Sequence, residues 1–573
     1  MLRRSMCSLS RYALSLSVFV LACASLAQAQ DPEVAARINA HLAAGEFGPA
    51  RALADGAGPE ARDAMLGQIA RAQAFGGGRR SALDTLGGIA NDQARAGALG
   101  SFAGQPLGGA GGAAAADFES LIELITTTVR PTTWEEVGGP GAIAEFPGGV
   151  YVDTAGLMKK ITIDGTPRLT SIHRDALFTG GNRDVHLPAD LRKVSLTRLE
   201  RELQLAWADG RSPDEVMANL AGLREIKYLL VYPETGDVVI AGPAGDWKTN
   251  AEGRTVNADT GRPVLQLDDL VVLLRSAFGG DGSFTCSIVP VKENLARTQE
   301  FLTASSKTPL KPGAAARDRW LKELRDNLGK QDIEVKGLDP RTRVARTIVE
   351  ADYHMKLVGM GLEEGTLGVE NYLDSIKLAK DEAAPPMNVL RWWFTLNYDA
   401  IQASDARDAF EMIGQGVKVL SENEMLTERG ERVHTGKSDE LTSQFARTFT
   451  EHFDKLCEKY PVYAELQNIF DLALVAAVMR AEDLPGQANW HMTHFAKQYQ
   501  PELATAPTQV ETIINHRVLS DKRFIAGVSG GVAFRPQELV QRKAIKVDAT
   551  GDLQADRTDA KPVELPRNAW WWD

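Results

Sequence analysis

The chain is poor in cysteine. It has four in 573 residues, and Cys7 and Cys23 lie at its very beginning. Cys286 and Cys457 remain, which excludes a disulfide framework. The two could pair in an oxidising compartment or stay as buried thiols. A basic excess is also missing, since 64 Lys and Arg face 76 Asp and Glu for a net charge of −12. That balance argues against binding a nucleic-acid backbone, which needs clustered cations. It argues equally against adsorption on anionic lipid. Past the N-terminus no apolar run is long enough to span a bilayer. Leu472 to Met479 is uninterrupted, but Asp471 and Arg480 bracket it, so it predicts the core of a buried helix. The Gly-rich stretch from Gly97 to Asp117 lacks Gly-Lys-Ser/Thr and cannot cradle a phosphate.

What is present begins with a leader. Arg3, Arg4 and Arg11 form a basic region, Tyr12 to Ala24 an apolar core, and Ala27-Gln28-Ala29 a small-x-small cleavage site. This pattern predicts an exported protein of the periplasm or cell envelope, cleaved near Ala29. Acylation at Cys23 is the alternative and would make it a lipid-anchored one. The leader holds no acid, so the mature chain is more acidic still.

At about 100–200 residues per domain the remainder holds three or four domains. We expect an α+β, multidomain chain: a leader at 1–29, a helical segment at 30–100, a Gly/Ala-rich linker at 101–116, a small α/β module at 117–156, a mixed α/β domain at 157–310 and an α+β domain at 311–573. In the helical segment, "GEFGPARALA" and "GGRRSALDTL" place Gly five residues before Ala in units 32 apart. That period suits a tetratricopeptide-like helical hairpin array, with a generic bundle as the alternative. Further on, "SPDEVMANLAGL" predicts a helix capped by Ser212 with Pro213 first. "IKYLLVYPETGDVVIAGPA" predicts two strands and a turn. "VLRWWFTLNYDAI" reads as a strand, and "AFEMIGQGVKVLSE" as a hairpin turning at Gly414-Gln415-Gly416. "SDELTSQFARTFTEHFDKLCEK" reads as one long helix capped by Ser438. "PVYAELQNIFDLALVAAVMR" is apolar on several faces and predicts the central buried helix.

"DFESLIELITTTVRPTTWEEVGGPGAIAEF", from Asp117 to Phe146, resembles the small N-terminal subdomain of secretins, with a helix, a Trp turn, a Gly knot and a strand. Its usual continuation is lost after "FPGGVYVDTAGLM". "VEADYHMKLVGMGL", "LRWWFTLNYDAI", "GQGVKVLSEN" and "YPVYAELQNIFDLALVAAV" resemble an uncharacterised family of secreted planctomycete proteins, a domain of unknown function, over about residues 157–573. That resemblance implies export and no known activity.

Chemistry is sparse. Glu350, Asp352, His354 and Lys356 would share one face of a strand. In a helix Glu350 would pair with His354 and Asp352 with Lys356. Glu350, Asp352 and His354 are the catalytic candidates. Gly527-Val528-Ser529-Gly530-Gly531 matches a nucleophile-elbow pattern, but no His follows Ser529 in the chain, so a Gly-rich turn is the better reading. His491 and His494 lack the further ligands of a metal site. In "DATGDLQADRTD" the position that a calcium loop gives to glycine holds Leu553. We therefore expect no metal and no cofactor. Trp392 and the consecutive Trp570, Trp571 and Trp572 are the binding candidates, the last three folding back into a groove or meeting a partner. The expectation is a non-catalytic protein with a protein partner in the envelope and no nucleic acid. A hydrolase or other enzyme with its site in the C-terminal region is the alternative.

Overall fold

The structure is a computed structural model. It describes residues 32–43, 46–75, 79–100, 142–146, 149–153, 184–307, 314–377, 388–426, 432–519, 522–562, 565–566 and 568–573. The leader, the linker at 101–116 and most of the 117–156 module lie outside the described residues. The chain divides into two units, Met1–Thr179 and Gly180–Asp573.

Among the described residues of the first unit, five helices follow one another: Pro32–Ala43, Phe47–Asp55, Pro59–Phe75, Arg79–Gly87 and Asp92–Gly100. Their buried side chains are both small and large: Ala50, Ala54 and Ala82 are fully buried, and so are Ile38, Leu66, Ile69 and Leu86. Buried Asp63 accepts the backbone N–H groups of Ala90 and Asn91 at 3.1 and 2.7 Å, fixing the start of the last helix. Strands β1 (Ala142–Phe146) and β2 (Gly149–Asp153) pair antiparallel.

The second unit is built on one sheet. Its strands are β3 (Ala189–Ser195), β4 (Tyr228–Tyr232), β5 (Asp237–Ala244), β8 (Phe284–Pro290), β9 (Lys330–Lys336), β10 (Asn388–Ala403), β11 (Ala409–Leu426), β12 (Arg432–His434), β13 (Gln509–Glu511), β14 (Ile514–Leu519), β15 (Lys522–Phe534), β16 (Lys546–Val547) and β17 (Trp571–Trp572). A separate small hairpin joins β6 (Trp247–Thr249) to β7 (Thr255–Asn257). The main order is β13-β9-β8-β15-β10-β11-β4-β5-β3-β17, with β12, β14 and β16 paired beside it. Neighbours along this order run antiparallel except β15 and β10. Strands from both sides of residue 310 interleave here. The expected boundary between a 157–310 and a 311–573 domain is therefore absent from this unit.

Helix Pro461–Ala481 is the core helix. Pro461 opens it without losing a bond, because first-turn N–H groups have no intrahelical acceptor. Nearly every residue from Val462 to Met479 is buried. It is long and apolar enough to cross a membrane, but 94% of its apolar window is buried inside the protein. An aromatic cluster fills the space between it and the sheet. Trp392 and Phe394 of β10 meet Phe445, Phe449, Phe453 and Tyr463, with ring centroids 4.4 to 6.5 Å apart. Every residue of β4 is buried, so both faces of the sheet are covered there. On one of those faces Tyr228, Leu230 and Tyr232 pack against Leu553, Ala560 and Trp572.

Four local expectations need correction. Residues 409–426 form one strand, not a hairpin. Gly414 and Gly416, at φ +131° and +83°, make a bulge opposite Asn397 and Tyr398. The chain reverses instead between β10 and β11, where Arg407 takes φ +55°. The helix expected from Ser438 is two, Glu440–Glu451 and Phe453–Lys459, broken at His452 and capped by Asp439. Ser438 instead bonds Ser421 at 2.7 Å. The helix expected from Ser212 is one turn, Glu215–Ala218, capped by Asp214. Finally, Gly527 to Gly531 are neither an elbow nor a turn but the middle of β15.

Candidate functional site

The segment around Glu350 is helical, within Arg343–Gly359, which begins at the Thr342 cap. At 3.6 residues per turn, Asp352 points roughly opposite to Glu350 and His354. The three candidates consequently enter three different environments.

Asp352 faces the sheet. Its Oδ2 accepts from Lys356 Nζ at 2.6 Å, and both side chains are fully buried. This is the i, i+4 pair that the sequence suggests. Burial pushes the Asp352 pKa up, and the Lys356 ammonium opposes that shift. The pair lies against the two glycines of β15. A Cβ on Gly530 would stand 3.1 Å from Lys356 Cε and 1.6 Å from the Trp392 carbonyl oxygen. A Cβ on Gly531 would stand 1.9 Å from the Cys286 carbonyl oxygen. These glycines let three strands and a charged side chain approach one another.

His354 does not pair with Glu350. Its Nδ1 is 2.7 Å from the Tyr463 hydroxyl, and its ring lies 4.4 Å from that of Tyr460. Burial pushes the imidazole pKa down.

Glu350 alone enters a cleft, of about 600 Å³. The β6–β7 loop, the first turns of helices Leu267–Gly279 and Arg343–Gly359, the start of the core helix and residues 502–504 form its walls. Arg254 donates to Glu350, Glu465 and Glu252. Arg343 donates to Glu465 and to buried Asp269. Asp268 accepts from the Tyr499 hydroxyl at 2.7 Å and from the Glu502 N–H at 2.9 Å. Burial pushes the Asp269 pKa up to about 6, and Arg343 opposes it. The cleft is thus a ladder of alternating charges that ties five segments together. Arg346 also lines it and makes no ion pair among the described residues. Sequence reasoning missed Arg254, Arg343, Asp269 and Glu465. A signal existed for Glu465, an acid inside an apolar helix on a face that burial claims.

The remaining candidates go elsewhere. Trp392 is fully buried and donates its Nε1–H to the Thr442 carbonyl at 3.1 Å, so it is core and not a binding platform. Trp570 and Trp572 are 6% and 5% exposed. The tail that carries them docks on its own chain as β17 against β3, so those two rings are not open to a partner. The Cys286–Cys457 disulfide is not formed; both thiols are free and buried, on β8 and on helix Phe453–Lys459. His494 is buried, with Nδ1 3.1 Å from Gln498 Oε1. Among the described residues no three His, Cys, Asp or Glu side chains gather as a metal site would require. Asp548 accepts from the N–H groups of Thr550 and Leu553 and so organises the approach to helix Asp552–Asp559. The sequence reading did not expect that helix.

Residues 286–372 match the family described as protein of unknown function (DUF1598). The matched span runs from β8 through helix Arg343–Gly359, so it includes Glu350, Asp352, His354 and Cys286. No curated protein and no solved structure matches the chain.

Proposed function

We propose that this chain is an exported, non-catalytic binding or scaffold component of the bacterial cell envelope, related to secreted planctomycete proteins. The observation that carries the reading is the divergence of Glu350, Asp352 and His354. A general acid and base must reach one reacting centre. Here one acid is sealed under the sheet, the imidazole bonds a tyrosine, and Glu350 bonds Arg254.

The helices of the first unit support a partner-facing role. Phe47–Asp55 and Arg79–Gly87 begin 32 residues apart, and each is followed by a second helix, Pro59–Phe75 and Asp92–Gly100. Ala50 and Ala82 occupy equivalent buried positions, as do Ala54 and Leu86. Arg51 and Asp84 join helix Phe47–Asp55 to helix Arg79–Gly87 at 2.8 Å. Such hairpin arrays expose long faces that suit polypeptide partners. The leader supports export, and the Gly-knot segment at 117–156 supports a secretin-like envelope setting.

The enzyme reading keeps one supporting observation, the open cleft in which Glu350 and Glu465 share Arg254. In-cell crosslinking of the tagged mature chain, followed by mass spectrometry, separates the two. We expect a stoichiometric envelope protein linked through residues 31–150. Recovery of no partner, together with an activity lost in Glu350→Gln and Glu465→Gln chains that still fold, would replace the binding reading with the enzyme one.

A further inference from the structure

The tryptophan tail is held as a peptide ligand would be. Trp571 and Trp572 pair with Val194 and Lys193 of β3, and the Trp570 carbonyl accepts from Ser195 N–H at 2.8 Å. Without this two-residue strand, β3 would be an open edge. The Trp572 ring enters the apolar cluster of Tyr228, Leu230, Leu553 and Ala560, and its Nε1–H reaches the Ala560 carbonyl at 3.2 Å. Arg192, fully buried, donates Nε and Nη2 to the Asp573 carboxylate at 2.7 and 3.0 Å. The rest of its fork binds the carbonyls of Val185, Ala221 and Leu187, and its guanidinium lies 4.8 Å from the Trp571 ring centroid. Lys193 adds a second cation beside Asp573.

The groups that hold the tail all lie outside the tail itself. The edge, apolar pocket and carboxylate fork come from residues 185–241, Ala409 and residues 553–565. We propose that this site also takes the Trp570–Asp573 segment of a second copy of this chain, so that two copies exchange tails. Every contact made within one chain can be remade between two, so exchange sacrifices no bond. Nine residues separate Ala560 from Trp570, and loop-closure entropy changes slowly with loop length. Exchange then depends on protein concentration, because the tail's own site holds it at high effective concentration.

The test uses a chain truncated after Leu565 and a fluorescent synthetic peptide, Pro566–Asp573. We expect saturable binding, weakened at least about tenfold when the peptide carries Asp573→Asn or Trp572→Ala, since a charge-assisted fork and a buried indole are then lost. Both changes sit in the peptide, so the receptor's folding is untouched. A truncated chain that melts cooperatively yet binds no peptide at about 1 mM, or binds all three peptides alike, overturns the proposal. If truncation prevents folding, the intact chain decides. Copies labelled on the tail are mixed with copies labelled near β3, and energy transfer must rise with concentration. No transfer at any concentration overturns the proposal.

Discussion

Asp352 and Lys356 illustrate what single residues do in this fold. Removing one member leaves an uncompensated charge in a sealed space. Asp352→Asn or Lys356→Met should each cost about 3–5 kcal/mol by denaturant unfolding. The double change Asp352→Leu, Lys356→Met should be close to neutral, because a buried ion pair is often no better than an apolar pair of similar volume. Gly530→Ala forces a Cβ into the Trp392 carbonyl and should cost about 3 kcal/mol or more. Ser529→Ala, one residue away, should stay within about 1.5 kcal/mol. A nucleophile elbow would give the opposite order of importance in an activity assay. At this scale the sequence was informative about one pair only. The Asp352–Lys356 spacing is visible in the string, whereas Arg254 reaching Glu350 and Glu465 depends on a loop far away in sequence.

At the scale of elements, the core helix carries a titration. Asp471 is buried and accepts the Tyr398 hydroxyl at 2.5 Å. Burial pushes its pKa up to about 7 from an ordinary 3.8, aided by Glu225 and opposed by the Tyr398 bond and Arg262. The folded chain thus holds this proton more tightly than the unfolded chain. Its stabilising contribution is complete below about pH 4 and is lost as the pH rises to about 7. Asp269, raised to about 6, acts in the same direction. Asp471→Asn should therefore flatten the pH dependence of stability between pH 4 and 7, compared by thermal melts across that range, and gain relative to the parent chain at pH 8. An unchanged pH profile would place the ionisation elsewhere. Elements with one dominant signal were legible: the core helix from its apolar run and Pro461, β10 from its aromatic run, β4 and β5 from the turn between them. Gly414 and Gly416 misled because a bulge and a turn use the same residue type. Ser438 misled because Asp439, the next residue, caps as well and wins.

For the whole molecule, the class α+β was legible and the internal boundary was not. Helix and strand alternate along the chain, but which strands become neighbours depends on long-range pairing. β8 inserts between β9 and β15, so no break in composition near residue 310 could mark a domain edge. The tail shows the same limit. "WWW" announces burial, while its acceptor, the β3 edge with Arg192, lies far earlier in the sequence. In the proposed function the helical hairpins, and not the charged cleft, meet the partner. A photo-crosslinking residue placed in living cells at Ala52 or Asp84, compared with one at Arg346, measures this directly. We predict one stoichiometric protein adduct from the first two positions and none from the third. Adducts confined to Arg346, with Ala52 and Asp84 silent, would place the partner at the charged cleft instead.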